Sequence, residues 1–226
     1  MTRRGLAELI AIVAPPACVA CREPLERADD QLCGGCLRAL PWLRGWRCPR
    51  CALPRHRRGG CPAARAAFGR AWAPMAYEGP ARALVQALKF GAALPVAGVM
   101  AAQLAATLPA ELRRGVVVPV PAQAARRRAR GFDAAATLAC ALAARLELPL
   151  APALIRRDRA TRQVRAGRTA RRAAGRIVVH ARARPGATVL LVDDVHTTGA
   201  TLEACARALV AAGAREVAAV TYARTL

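Results

Sequence analysis

Val189-Leu190-Leu191-Val192-Asp193-Asp194-Val195-His196-Thr197-Thr198-Gly199-Ala200-Thr201 passes from an aliphatic run through two acids into a turn of small and hydroxyl residues. Thr188 to Val192 is a short aliphatic run, which predicts a buried strand. Two carboxylates, Asp193 and Asp194, stand at its carboxyl end. Small and hydroxyl residues follow, and Ala200 to Ala212 then reads as a helix stopped by Gly213. Open α/β sheets bind ligands at the carboxyl ends of their strands. A small-residue turn entering a helix points backbone N–H groups at an anion. Thr197, Thr198 and Thr201 add hydroxyl donors, and Gly199 permits close backbone approach. Paired acids suit sugar hydroxyls or hydrated Mg²⁺.

Outward from that turn, strand-like and helix-like runs alternate from about residue 67 to 226. Helices are expected at Ala81–Phe90, with Leu84, Val85, Leu88 and Phe90 on the apolar side, at Val96–Leu108 and at Asp133–Leu146. Strands are expected at Val116–Val118, Ile177–Val179 and Val217–Tyr222. The alternation predicts an α/β fold, Rossmann-like, with a mostly parallel sheet covered by helices on both faces. The arginine-rich stretch 155–176 reads as a loop or solvated arm. Pro119, Val120 and Pro121 form either a stiff turn or a ligand-contacting loop at a strand end. Arg126, Arg127, Arg128 and Arg130 form a basic run that is either a solvated face or a partner for phosphate charge. Lys89 is the single lysine among 36 basic residues, so either a specific role or chance survival fits it. His196 reads as a spacer in contact with solvent, ahead of a general-base role.

Residues 1–66 differ in composition. Seven of the nine cysteines lie there. Cys18-x-x-Cys21 and Cys33-x-x-Cys36 have the spacing of a closed Cys₄ zinc ribbon. Cys48-x-x-Cys51 and Cys61 form a second, incomplete set, because Ala64 stands where a fourth cysteine would. Either His56 completes a Cys₃His site or the second site has decayed; the arginines around His56 favour decay. A module this small needs metal to fold, so zinc here is structural. Trp42 and Trp46 interleave with Arg44, Arg47 and Arg50, a pattern fitting single-stranded DNA or small-core packing equally. Cys140 and Cys205 read as small core residues.

The formal net charge is +22, which favours anionic partners. Arg3, Arg4 and the apolar run 6–14 read as a short amphipathic helix. Ala92–Leu108 is uncharged but holds Pro95, Gly98 and Gln103, too weak a signal for a bilayer span. Membrane insertion is therefore not expected, and a cytoplasmic location is.

The 189–201 segment resembles the phosphoribosyl pyrophosphate motif of type I phosphoribosyltransferases. That resemblance implies a 5-phosphate held by Thr197, Thr198, Gly199, Ala200 and Thr201, with Val195 and His196 counted among the candidate substrate-binding residues. It also implies ribose hydroxyls held by Asp193 and Asp194, with Mg²⁺ on the pyrophosphate. Lys89-Phe90, Val118-Pro119-Val120-Pro121, Arg128-Ala129-Arg130-Gly131-Phe132 and Thr161-Arg162-Gln163 recur in that order in the ComF family, as does an N-terminal double zinc ribbon. The chain departs from the family pattern at Asp133-Ala134, in place of Asn-Gln, and at Arg171-Arg172-Ala173. The resemblance implies phosphoribosyl transfer between pyrophosphate and a nitrogenous base. It further implies a link to natural transformation, with single-stranded DNA and a competence helicase as partners. The alternative expectation is a single-stranded-DNA-binding factor that keeps the nucleotide pocket without turnover.

Overall fold

A computed structural model describes residues 16–27, 29–56, 60–90, 93–157 and 177–226. Its elements in chain order are α1 (Gly34–Arg38), β1 (Arg70–Trp72), β2 (Met75–Ala76), α2 (Gly79–Phe90), α3 (Ala93–Thr107), β3 (Val116–Pro119), α4 (Ala124–Arg130), α5 (Ala134–Leu146), β4 (Leu154–Arg157), β5 (Val178–Ala181), β6 (Thr188–His196), α6 (Ala200–Ala211) and β7 (Glu216–Arg224).

The main sheet is parallel, in the order β1-β7-β6-β3, with β2 also on β7. β1 and β2 are two halves of one edge: Arg70 to Trp72 pair with Ala218 to Val220, and Met75 and Ala76 pair with Ala223 and Arg224. The break contains Pro74, which has no N–H for a ladder and is tolerated at an edge.

Alternation along β6 divides two cores. Leu190 and Val192 join Leu84, Leu88, Met100, Leu104, Leu138 and Leu142 from α2, α3 and α5. Val189 and Leu191 join Leu202, Cys205 and Leu209 of α6, together with Ala153 and Leu154 beside the β4–β5 hairpin. The expected two-faced parallel sheet is present, with the hairpin sharing one face with α6. Gln103 interrupts the apolar α3 for a reason found on β7: it accepts a hydrogen bond from the Tyr222 hydroxyl at 2.6 Å. Among the described residues, no helix is long and apolar enough to cross a membrane.

The cysteine-rich segment is built into both cores. Cys18, Leu25, Leu32 and Leu40 pack with Met75 and Leu84. Cys48, Cys51, Ala52 and Ala63 pack with Phe68, Val118 and Leu191. Aromatics are only 4% of the chain, so small side chains from both segments fill these cores.

Several sequence expectations need correction. Phe90 is 73% exposed, because α2 ends there and its ring faces outward beneath the Arg130 guanidinium. Cys140 is exposed, whereas Cys205 is fully buried. Residues 155–157 are strand rather than arm, since Ile155, Arg156 and Arg157 pair with His180, Val179 and Val178. β6 runs on past Val192 to His196 because β7 offers ladder partners as far as Arg224. The 6–14 run, Thr161-Arg162-Gln163 and Arg171-Arg172-Ala173 lie outside the described residues.

Candidate functional site

Asp193 and Asp194 are successive residues of one strand, so their side chains leave opposite faces of the sheet. Asp194, only 7% exposed, turns toward the α2 face and pairs with Lys89, Nζ to Oδ1 2.9 Å. Asp193 lies on the α6 face. Burial, with the Asp193 charge adding to it, pushes the Cys205 thiol of α6 up to about 12. An Asp193 carboxylate oxygen accepts from the Asp194 backbone N–H at 2.8 Å. Burial and the neighbouring Asp194 charge raise the Asp193 carboxyl well above the usual carboxylate range, against the pull of that N–H and of Lys89.

A cleft of about 130 Å³ opens over the two acids. Lys89, Val120, Pro121, Arg126, Arg130, Asp133, Arg156, Asp193, Asp194 and Thr201 are among its lining residues. Elements distant in sequence thus converge on one point: the end of α2, the loop after β3, α4, the hairpin and the β6–α6 turn. The cations around the acids suit a polyanion carrying hydroxyls.

Asp133 organises the rim. Its Oδ1 accepts from Ala135 and Ala136 N–H at 3.1 and 3.2 Å, capping α5. Its Oδ2 accepts from Ala122 N–H at 2.9 Å and holds the loop after β3 against that helix. Val120 belongs to this loop, and its N–H donates to Val192 at 2.9 Å. Pro119 is the last residue of β3, in register with Val192.

Of the turn region, Thr201 lines this cleft, whereas Thr198, Gly199 and Ala200 line a separate one of about 260 Å³ with Phe68, His196 and Glu203. Thr197 and Thr198 are exposed. Gly199 has φ +81°, and a Cβ there would meet His196 Nε2 at 2.9 Å, so glycine is required twice over. Gly199, the N-cap of α6, has no side chain to offer the first-turn amides; Thr198 Oγ1 accepts from the Ala200 N–H at 3.4 Å, and the amides beyond it are where an anion would be met.

His196 departs from expectation. It is 3% exposed, not solvent-facing, and its ring meets Phe68 edge-on at 6.1 Å. Burial, then the Arg224 charge, lowers its pKa to about 4, so it is neutral near pH 7. Arg128 is not among the residues lining the cleft, whereas Arg126 and Arg130 are.

Sequence reasoning missed three residues here. Arg156 was hidden in a stretch read as an arm. Asp133 stands out in the sequence only as a departure from the family's Asn-Gln, although its place before an alanine-rich helix was the available signal for a cap. Arg224 had no local signal at all. It is 4% exposed, and its Nη1 donates to the carbonyls of His196 at 2.7 Å and Thr197 at 2.6 Å.

The cysteines form two clusters. In each, the four ligand atoms lie within 4.8 Å of one another: Cys18, Cys21, Cys33 and Cys36, and Cys48, Cys51, His56 and Cys61. Zinc–sulfur bonds of about 2.3 Å place tetrahedral sulfurs about 3.8 Å apart. Cys21–Cys33 and Cys48–Cys61 are each 3.7 Å apart, and Cys51 Sγ is 3.3 Å from His56 Nε2. Both donor sets therefore fit zinc, and of the two expectations for the second site the geometry favours His56 as fourth ligand over decay. The five-residue reach from Cys51 to His56 brings the imidazole in where Ala64 cannot serve. Burial raises the Cys18 thiol, but backbone N–H groups of Cys21, Cys33 and Ala20 outweigh it and bring it down to about 6. The same balance brings Cys48 to about 7. In the same clusters burial and the neighbouring cysteines hold Cys36 up and push Cys51 up to about 12, so each cluster offers one ready thiolate, the form a metal needs, and the ion would have to displace the proton from the others.

Residues 133–225 match the model of the phosphoribosyl transferase domain, and residues 9–65 match that of the double zinc ribbon domain. The chain carries a phosphoribosyltransferase domain and a double zinc ribbon. The match to the phosphoribosyltransferase domain begins at Asp133 and takes in both acids and the whole turn. No curated protein matches the chain.

Of the tryptophan–arginine set in the ribbon, most is used internally. Arg47 lies 4.0 Å over the Trp72 ring and donates to the carbonyls of Leu43 and Ala73. Arg50 donates to those of Ala63, Ala66 and Phe68. Trp42 is half-buried and bridges to Met75. Trp46, 67% exposed, and Arg44 face outward.

Proposed function

We propose that this protein binds phosphoribosyl pyrophosphate with Mg²⁺ and transfers the phosphoribosyl group between pyrophosphate and a nitrogenous base. The observation that carries the reading is the cleft in which Asp193 and Asp194 meet Lys89, Arg126, Arg130 and Arg156, with Thr201 of the first turn of α6 in its lining. In this reading the turn amides and hydroxyls of Thr197 to Thr201 take the 5-phosphate. Asp193 and Asp194 accept from the ribose hydroxyls. Lys89, held by Asp194, together with Arg126, Arg130 and Arg156, faces the pyrophosphate. The bond from the anomeric carbon to pyrophosphate oxygen breaks as a base nitrogen bonds to that carbon and loses its proton. The cations neutralise charge gathering on the leaving group. Hard carboxylate oxygens in the cleft fit Mg²⁺, which Asp193 and Asp194 would help to hold, and the ion would supply further charge neutralisation.

The proposal includes a role in natural transformation, in the cytoplasm, alongside a competence helicase. It also places the module boundary near residue 66. The ComF resemblance supports that role. A second reading, single-stranded DNA binding without turnover, is supported by the outward-facing Trp46 and Arg44 and by the net charge of +22.

The test is calorimetric titration of Mg²⁺ and phosphoribosyl pyrophosphate into wild type and an Asp193→Ala/Asp194→Ala variant. Binding by wild type that is lost in the variant supports the pocket, and a screen of bases for pyrophosphate release follows. No binding by folded, zinc-loaded wild type sinks the enzyme reading and favours the DNA-binding one.

A further inference from the structure

The second zinc cluster and the phosphate-binding turn are joined through one buried cation. Arg224 Nε donates to the Cys51 carbonyl at 3.0 Å. Its Nη1 donates to the His196 and Thr197 carbonyls at 2.7 and 2.6 Å, and to Thr225 at 2.7 Å. Cys51 contributes a sulfur to the metal cluster, and His196–Thr197 opens the turn. Arg224 is 4% exposed, and among the described residues its hydrogen-bond partners are carbonyls, with no carboxylate ion pair. A buried charge held this way cannot lose an acceptor cheaply.

A second strap runs in parallel. Arg50, between Cys48 and Cys51, grips the carbonyls of Ala63, Ala66 and Phe68 and makes one body of the knuckle and the segment after Cys61. From that body, Ala67 N–H donates to Glu203 of α6 at 2.7 Å, and Phe68 lies against the His196 ring. Glu203 belongs to the first turn of α6. The first cluster packs in the other core, on the α2 face, and among the described residues no hydrogen bond joins it to the turn.

We infer that Arg224 is a positioning residue that transmits the state of the Cys48–Cys51–His56–Cys61 site to the Thr197–Thr201 turn, so that zinc at this site, and not at the first, sets the affinity for the ribose phosphate. The inference rests on the phosphoribosyl pyrophosphate reading for its ligand. Without metal, three thiol groups and an imidazole crowded within 4.8 Å lose the ion that holds them. The Cys51 carbonyl then shifts, and the buried guanidinium follows it or abandons it. Either way the two carbonyls that fix the turn lose their common donor. The turn amides are then no longer held in place before the anion arrives.

The experiment uses the full chain as wild type, Arg224→Lys, His56→Ala and, as a control for the first site, Cys21→Ser. Zinc content, hydrogen exchange at the amides of residues 197–201, and the Kd for phosphoribosyl pyrophosphate with Mg²⁺ are measured on each. Arg224→Lys is expected to keep both zinc ions, to exchange faster at the turn, and to bind roughly tenfold more weakly, as loss of one charged hydrogen bond implies. His56→Ala is expected to lose one zinc with the same two effects. Cys21→Ser is expected to leave exchange at the turn unchanged. Exchange in β3 and α3 should be unmoved in the Arg224 and His56 variants, which separates positioning from general loosening. If His56→Ala does not fold, chelator titration of the wild type supplies the zinc-depleted state. Wild-type exchange and affinity in Arg224→Lys and in the zinc-depleted protein would overturn the inference, as would an effect of Arg224→Lys alone. If wild type binds no phosphoribosyl pyrophosphate, that reading falls, and the exchange data alone still decide the coupling.

Discussion

Lys89 Nζ lies 2.9 Å from Asp194 Oδ1, joining the last turn of α2 to the carboxyl end of β6 across 105 residues of chain (194 − 89). Both side chains are largely withdrawn from water, with 25% and 11% of their surface exposed. Removing one partner leaves the other charge without compensation. Lys89→Met should therefore destabilise the protein by about 2 kcal/mol, toward the lower end for a buried pair because the lysine is partly solvated. Lys89→Arg should recover most of that loss. Urea unfolding of both variants checks this; equal midpoints for wild type and Lys89→Met would show the pair to be incidental.

The pH dependence of stability should carry a His196 signature. Burial and Arg224 depress its pKa to about 4, from 6.5 in an unfolded chain. The unfolded state thus takes up the proton first. The stability that goes with neutral His196 is complete above pH 6.5 and is lost as pH falls through 4, by about 3 kcal/mol in total. The difference in unfolding free energy between wild type and His196→Gln, followed from pH 7.5 to 4, should narrow by that order. A parallel pair of curves would contradict it.

Gly199→Ala should cripple the turn. The residue has φ +81°, and its new methyl would press on His196 Nε2 at 2.9 Å. The backbone term alone costs roughly 1 kcal/mol, with the steric push added. We expect a lowered melting temperature and loss of phosphoribosyl pyrophosphate binding, read by thermal scanning and calorimetry.

Asp133→Ala removes three acceptor contacts at once, those to Ala122, Ala135 and Ala136. Cap loss costs about 1 kcal/mol. The freed loop after β3 should additionally lower affinity for the pyrophosphate end of the ligand. Affinity for inorganic pyrophosphate, compared with that for ribose 5-phosphate, separates the two effects. A uniform loss would place Asp133 in stability alone.

Metal analysis of the purified protein should find two zinc ions per chain, falling to one in His56→Ala. One ion in wild type would restore the picture of a decayed second site.

Much of this was legible in the residues. The 188–201 stretch announces a buried strand, two acids and a glycine-containing turn into a helix because each feature is local: aliphatic run, carboxylate pair, glycine before a helix. Cys-x-x-Cys spacing is equally local, because a metal knuckle is a tight turn with fixed geometry. Helix and strand positions followed from periodicity, with ends misplaced by a few residues. β6 was read as too short because its last partners lie on β7.

What remained hidden depended on distance through space. Neither the spacing around His56 nor its arginine neighbours showed that the ring would reach Cys51 Sγ. The alternation of strands and helices, the small-residue turn after Asp194 and the first cysteine quartet could be read from the residues alone, because those are set by residues a few positions apart. Tertiary structure alone decided that His196 is buried, that Arg156 joins the cleft, and that Arg224 links Cys51 to His196. Burial and long-range hydrogen bonding belong to no single segment; they arise only when β7 is laid beside β6 and the zinc module closes over both.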